Sequence, residues 1–301
     1  MKYLKVLILF FSFSILFQLT TTSANAGPCT ITNGEYSETD IKNGVDGSDC
    51  GTIPAKYEII VYEAYLCTSA ATIPTTTAEA DLSMCTKVFE NTAGAVASVV
   101  QNEEINLEGK SFRPSFGTYT HSYAKIDKKI ALTWSGKIDG VMQSSTSNNN
   151  DTGQFCGTKA GSGTFENGNT HTNSIICDSS EITPGKFVET SNSFSDSEVL
   201  TISDVIDNVP GNPGATIQGI ITDTNGFAST GNSDSFRIEA AMKNSNPIII
   251  NEGTRGLSVK FSLTDASHLS EENGNDRLMI SGGPFISCLL YTSPSPRDVE
   301  E

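Results

Sequence analysis

Between Tyr57 and Cys67 the chain reads YEIIVYEAYLC, a run in which nearly every residue is apolar, aromatic or β-branched. At period two, one face carries Ile60, Tyr62, Ala64 and Leu66. The other carries Tyr57, Ile59, Val61 and Tyr65, broken by Glu63. Apolar on both faces, such a run suits a central strand covered on both sides. A short buried helix is the rival reading. Ile59, Ile60 and Val61 with three tyrosines weigh against it, because such side chains fit a pleated surface better than a helical turn. A chain that holds this strand must build a sheet around it.

The chain then returns. In PSFG, Pro114 fixes φ and Gly117 permits positive φ, which reads as a turn. From Thr118 to Ile126 the residues alternate, with Tyr119, His121 and Tyr123 on one face. The polar Asp127-Lys128-Lys129 is expected to be a short connection, and Ile130, Leu132 and Trp134 fall on one face after it. The pattern predicts a β-hairpin.

This order (a strand ending in Cys67, an insert, a segment near Ile105–Leu107, then Pro114-x-x-Gly117-Thr118-Tyr119) resembles the transthyretin-like and carboxypeptidase-regulatory-like sandwich domains of bacterial exported proteins. The resemblance covers about a quarter of the chain and its motif is short. The cysteines and the long insert depart from the family pattern. The resemblance implies a seven-stranded sandwich used as a structural or adhesive module, and brings no catalytic residue with it.

Seven cysteines are present: Cys29, Cys50, Cys67, Cys85, Cys156, Cys177 and Cys288. The first six admit fifteen pairings. Consecutive pairs are favoured, because separations of 21, 18 and 21 would each close a polar loop of similar size. Each bridge is worth roughly 3 kcal/mol in the chain-entropy model. Metal binding is the rival, and no C-x-x-C or H-x₃-H spacing supports it.

The oxidising compartment that disulfides need agrees with residues 1–26. Lys2 and Lys5 precede an apolar run from Leu7 to Leu16, and Ala24-Asn25-Ala26 forms a small-residue cleavage site. This is the pattern of a secretory signal peptide. The apolar run is short for a membrane span, and no later stretch reaches the ~20 apolar residues a transmembrane helix needs. An exported protein is expected: periplasmic, cell-surface or extracellular. Without Lys2 and Lys5, 17 cations face 35 carboxylates, a net charge of −18. Such a chain repels phosphates, so no nucleic-acid partner is expected. At the other end CLLYTSPSPRD, with the odd Cys288, breaks from the preceding composition. It resembles translated sequencing adapter found at the ends of unrelated metagenome-derived proteins. Residues 287–301 are therefore expected to be a non-native tail.

Elsewhere the pattern is weaker. Gly27 to Pro54 reads as a polar loop pinned by Cys29 and Cys50, with a faint calcium-loop flavour at Asp46 and Asp49. Within TTTAEADLSMC one helical turn is expected, capped by Thr77, with Glu79 or Asp81 in its first turn. Short strands are expected at Lys87–Phe89, Ala97–Val100 and Ile105–Leu107. Ser135 to Phe187 reads as long polar loops joined by Cys156 and Cys177. Later strands are expected at Glu198–Ile206, Ala215–Thr222, Ser235–Met242, Pro247–Asn251, Gly256–Leu263 and Leu278–Ile280. A turn at Asp223–Gly226 and a polar connection DASHLSEENGNDR interrupt them. Many short strands with little helix predict an all-β fold: a disulfide-stapled antiparallel β-sandwich, either one large sandwich or two adjoining ones. In the second case the division falls near Trp134–Asp139, giving an N-terminal sandwich over 27–135 and a β-rich domain with long polar loops over 136–286.

Chemistry is sparse. The histidines are His121, His171 and His268, and no G-x-S-x-G accompanies them. G-x-G at Gly161–Gly163 opens no helical pattern. Carboxylate pairs for glycoside hydrolysis are spatial and stay open. No cofactor is expected. Tyr119, His121 and Tyr123 form the candidate binding face, which would stack on a sugar ring, or be an ordinary half-buried strand face. The function expected is an exported, non-enzymatic structural or adhesive cell-surface protein, with itself or other surface proteins as partner. The alternative is a periplasmic or secreted module for glycans or divalent cations, the latter at acidic loops near Asp46 and Asp223.

Overall fold

The computed structural model describes residues 27–44, 49–101, 103–145, 151–165, 174–191, 206–207, 213–231, 233–254, 256–271, 276–282 and 287–293. In chain order the elements begin with β1 (Ile31–Thr32), β2 (Glu35–Tyr36), α1 (Glu38–Asn43), β3 (Cys50–Thr52), β4 (Lys56–Cys67) and β5 (Cys85–Val99). Next come β6 (Glu104–Ile105), β7 (Lys110–Ser111), β8 (Gly117–Thr133), β9 (Ser135–Ser144), β10 (Thr152–Thr158), β11 (Gly161–Phe165) and β12 (Ile175–Asp178). The last are β13 (Phe187–Ser191), β14 (Ile206–Asp207), β15 (Thr216–Thr222), β16 (Arg237–Ile250), β17 (Gly256–Ser262), β18 (Ser267–Glu271), β19 (Arg277–Gly282) and β20 (Ser287–Ser293).

These strands form two large sheets and a small one. Sheet I runs β1-β2-β9-β19-β18-β3, with β10 beside β9 and β12 beside β10. Sheet II runs β14-β15-β16-β8-β4-β5-β7, with β13 also on β8 and β11 on β13. Sheet III is β20-β17-β6. The fold is the expected all-β sandwich. Pairing is mostly antiparallel, and β2–β9, β9–β19 and β11–β13 are parallel. Between sheets I and II lies the main core. Tyr57, Ile59, Val61, Ala97, Ile130 and Leu132 of sheet II meet Ile138, Met142, Ile175, Leu269, Leu278 and Ile280 of sheet I. Trp134 is buried at the point where the chain crosses from one sheet to the other, and its Nε1–H donates to Thr52 Oγ1 at 3.1 Å. Each large sheet takes strands from both sides of Trp134.

β4 is central as expected, flanked by β5 and β8. The expected hairpin over Thr118–Trp134 is instead one 17-residue strand, β8. Asp127-Lys128-Lys129 bulges rather than turning: Ile59 faces Ile130 and Val61 faces Ile126, so β8 carries the extra residues. Asp127 Oδ1 accepts the Lys129 N–H at 2.8 Å, which holds the bulge. On its other edge β8 pairs with β16 up to Asp127 and with β13 from Lys129 onward. The polar triplet marks a change of partner, which a sequence presents in the same way as a turn. The two candidates around Lys87 and Ala97 likewise fuse into β5 across a bulge that ends at Gly94, whose φ is +86°.

Other expectations are corrected. No helical turn forms at Thr77; the segment is held by isolated bridges Thr72–Asp81 and Thr75–Ala78. The helix lies in the N-terminal stretch expected to be a loop: α1 is capped by Ser37, whose Oγ accepts the Asp40 N–H at 3.2 Å. Ser135–Phe187 holds β9 to β12 rather than only loops. β9 to β11 are rich in Gly, Ser and Thr and carry few apolar residues, so hydrophobic periodicity misses them, while β12 (Ile-Ile-Cys-Asp) is too short to show a period. The connection DASHLSEENGNDR contains β18. Ser235–Met242 and Pro247–Asn251 merge into β16. Most of the expected strand Glu198–Ile206 lies outside the described residues. Within the expected tail, Ser287–Ser293 pairs antiparallel with β17; backbone pairing is indifferent to the origin of a segment.

All three expected disulfides are present: Cys29–Cys50, Cys67–Cys85 and Cys156–Cys177. Two of them join directly opposed residues, Cys67 with Cys85 across β4–β5 and Cys156 with Cys177 across β10–β12.

Candidate functional site

The face of sheet II turned away from the core carries a polar network that positions the sequence-predicted residues. Glu63 stands opposite Lys125, and Lys125 opposite Glu239, so one row across β4, β8 and β16 reads Glu–Lys–Glu. Glu90 of β5 extends the row beside Glu63. In the next row Lys87, Tyr65 and Tyr123 stand side by side, with the two rings edge to face at 6.2 Å.

The groups satisfy one another. Lys87 Nζ lies 2.5 Å from Glu63 Oε1 and 2.9 Å from Glu90 Oε1. Lys125 Nζ lies 3.7 Å from Glu63 Oε2 and 3.5 Å from Glu239 Oε1. The Tyr65 hydroxyl donates to Glu63 at 2.8 Å and that of Tyr123 to Glu239 at 2.6 Å. Thr222 donates to the other Glu239 oxygen at 3.4 Å. Burial opposes ionisation of Glu63, yet the Lys87 and Tyr65 hydrogen bonds and the Lys125 charge outweigh it and hold the carboxyl below its usual range. Burial, with the adjacent carboxylates, pushes both tyrosine hydroxyls well up.

A disulfide-closed segment spans from one end of this face to the other. Residues 68–84 leave β4 at Cys67, level with His121 and far from the Thr222 end of β15. Yet Thr75 O accepts the Ala228 N–H at 2.9 Å, and Ala228 bridges Thr222. The segment thus crosses the outer face diagonally, since the core occupies the inner one. Pro74 in its middle is buried, as are Thr222, Ile220 and Glu239 beneath.

Tyr119 and Tyr123 are only 3 % and 1 % exposed. Their hydroxyls are engaged with Ser115 O and Glu239, so the two rings offer no stacking platform to a ligand. His121 alone of the three is half-buried, with Nδ1 2.8 Å from Thr120 Oγ1. Burial, and then the Lys243 charge, lower its pKa.

Asp46 and His171 lie outside the described residues. Asp223 spends its carboxylate locally, accepting from the N–H groups of Asn225 and Phe227 at 2.8 and 3.0 Å and from the Asn225 side chain. His268 stands 4.0 Å from Asp49 and 3.2 Å from the Asp265 carbonyl, and burial raises both aspartates. Among the described residues no group of three or more His, Cys, Asp or Glu side chains is placed to hold a metal ion.

Sequence reasoning missed Glu63, Lys125 and Glu239 as a unit. Glu63 was visible as the one charge interrupting an apolar strand, and that was its signal. Its partners lie 62 and 176 residues away, and only the register joins them. Comparison with protein-family models, curated proteins and solved structures finds no match to this chain.

Proposed function

We propose that this is an exported, non-enzymatic structural or adhesive protein of the cell surface, acting by contact with copies of itself or with other surface proteins. The observation that carries the reading is a group of exposed apolar side chains at one end of sheet II. Phe116 and Ile249 are 61 % and 56 % exposed, and Met84 and Phe112 are also exposed. Ile249 is opposite Thr118 on β8, two residues from Phe116. Phe112 N–H donates to Val88 O, and Met84 precedes Cys85 on the neighbouring β5. Arg113 ties the segment to the turn after β16 by donating to Asn251 O and Thr254 O. Grouped apolar exposure on a folded domain marks a protein-contact surface.

Export is supported by the leader-like residues 1–26 and by three disulfides, which persist in oxidising compartments. No helix among the described residues is long and apolar enough to cross a membrane. The network on the outer face of sheet II reads as structural, because each carboxylate is matched by a donor inside the fold.

The test is to shear the producing cells and examine the released fraction by electron microscopy. High-mass assemblies or surface-bound protein are expected, and Phe116→Ser with Ile249→Ser should release soluble monomer. A wild-type protein that is monomeric and unattached overturns the reading.

A further inference from the structure

The strongest unassigned feature is a guanidinium without an anion. Arg237 opens β16 on the outer face of sheet II, opposite Asp127. Its Cζ lies 4.7 Å from the centre of the Phe236 ring and 5.7 Å from that of Tyr62. The cation thus lies against two aromatic rings, contacts arginine favours. Asp127 makes no ion pair with it. One oxygen of Asp127 accepts from Tyr62 Oη at 2.7 Å, the other from the Lys129 N–H at 2.8 Å. That bond and burial push the Tyr62 hydroxyl up to about 12, burial being the larger cause.

Among the described residues no carboxylate comes within 4 Å of the Arg237 guanidinium, and its buried Nε has no hydrogen-bond partner. A buried side-chain donor without a partner needs a cause, and among the described residues Arg237 Nε is one of three buried polar atoms in that condition. Cations and carboxylates both surround it: Lys128 and Lys129 follow Asp127 in the bulge, Asp223 follows Thr222, which pairs with Arg237, and Asp234 lies three residues before Arg237. Lys128 brings its ammonium to Ser235 O and Oγ at 2.9 and 2.7 Å, directly before Phe236. Lys129 is exposed beside the same bulge. Phe236 is 40 % exposed, so one flat apolar face lies open next to the cation.

We propose that Arg237, Phe236 and Tyr62 form a binding site for a single carboxylate carried on a ring, the ring lying on Phe236 and the carboxylate taken by the guanidinium fork. Arginine binds carboxylates through paired N–H donors, and the flanking rings hold the fork in place. The net charge of −18 outside the leader disfavours multiply charged ligands such as nucleotides and polyphosphates. A uronic-acid sugar meets these terms; so does a free aromatic acid. The site is independent of the assembly reading, since it lies at the Thr222 end of sheet II and the exposed apolar group lies at the other.

The test is calorimetric or NMR titration of the oxidised protein with glucuronate, glucose and benzoate. Saturable glucuronate binding with a dissociation constant of about 1 mM is expected, with no response to glucose. Arg237→Gln and Arg237→Lys should each weaken it by about tenfold or more, the lysine variant because it keeps the charge and loses the fork. Phe236→Ala should weaken it less, and Lys159→Gln, which removes a distant exposed charge, should leave it unchanged. Circular dichroism identifies any variant that fails to fold, and Phe236→Ala then carries the test. Benzoate binding without glucuronate binding keeps the carboxylate site and overturns the sugar as its occupant. No response to either carboxylate, or equal binding by Arg237→Gln, overturns the site.

Discussion

The Tyr123 hydroxyl donates a 2.6 Å hydrogen bond to Glu239, and each residue is about 1 % exposed. A carboxylate so buried persists only if donors replace its water, and here Tyr123, Lys125 and Thr222 do so. Tyr123→Phe removes the shortest of these and should lower unfolding stability by about 1–3 kcal/mol. The denaturant midpoint should fall at an unchanged slope. Adding Glu239→Gln should cost less than the sum of the single changes, because the two groups are coupled. Strict additivity in urea melts would show that the pair does not act as one.

Acid should act on this face through Glu63. Its folded-state pKa is depressed, so it contributes stability above its unfolded pKa and loses it as pH falls through the lower folded value. Asp49 and Asp265 act in the opposite sense. Burial raises both, so each takes up a proton in the folded state first, and stability from them rises as pH falls. Glu63→Gln should therefore flatten the loss of stability below about pH 4.5, and Asp49→Asn should steepen it. Melting temperatures measured from pH 3 to 7 check both slopes.

Cys67 and Cys85 close the segment 68–84 that reaches Ala228. Replacing both with serine should lower stability by roughly 3 kcal/mol, the value for a loop of this size. It should also make residues 68–84 the first site of proteolysis, because the Thr75–Ala228 bond is left to hold its far end. Limited proteolysis followed by mass spectrometry locates the first cut. A first cut elsewhere would mean that the segment is held by packing and not by the bridge.

How much of this was legible follows from what sequence periodicity encodes. β4 was readable because both its faces are covered, and the disulfides because three similar separations left consecutive pairing as the simplest solution. β8 was misread because a bulge at Asp127 and a turn use the same polar residues. The strands β9 to β11 were hidden by Gly, Ser and Thr, whose contribution is a backbone ladder rather than an apolar stripe. At the site, alternation in the sequence sets Tyr119, His121 and Tyr123 on one face of a strand. Alternation does not say whether such residues are open to a ligand, and here Tyr119 and Tyr123 are buried. Arg237 gave no sign, since its meaning lies in what is missing around it.

Glu189 offers the most direct probe of how the two sheets are joined. It sits on β13 opposite Ile130, about 1 % exposed, with its side chain in the sandwich interior. Its Oε2 accepts the N–H of Gly282 at 2.8 Å, so a sheet II carboxylate holds the end of sheet I strand β19. Tyr57, buried nearby, is pushed well up by burial and by the Glu189 charge. Glu189→Ala leaves buried donors unpaired and should destabilise by about 3 kcal/mol or more, since the lost acceptor is charged. Glu189→Gln keeps an acceptor oxygen in the same place and should cost clearly less. Hydrogen exchange distinguishes a local tie from general packing. If Glu189 ties the sheets, the Gly282 amide should lose protection in the alanine variant while the Ile59 and Ile130 amides keep theirs under native conditions. Equal loss at all three would make Glu189 a contributor to global stability alone, with no particular hold on β19.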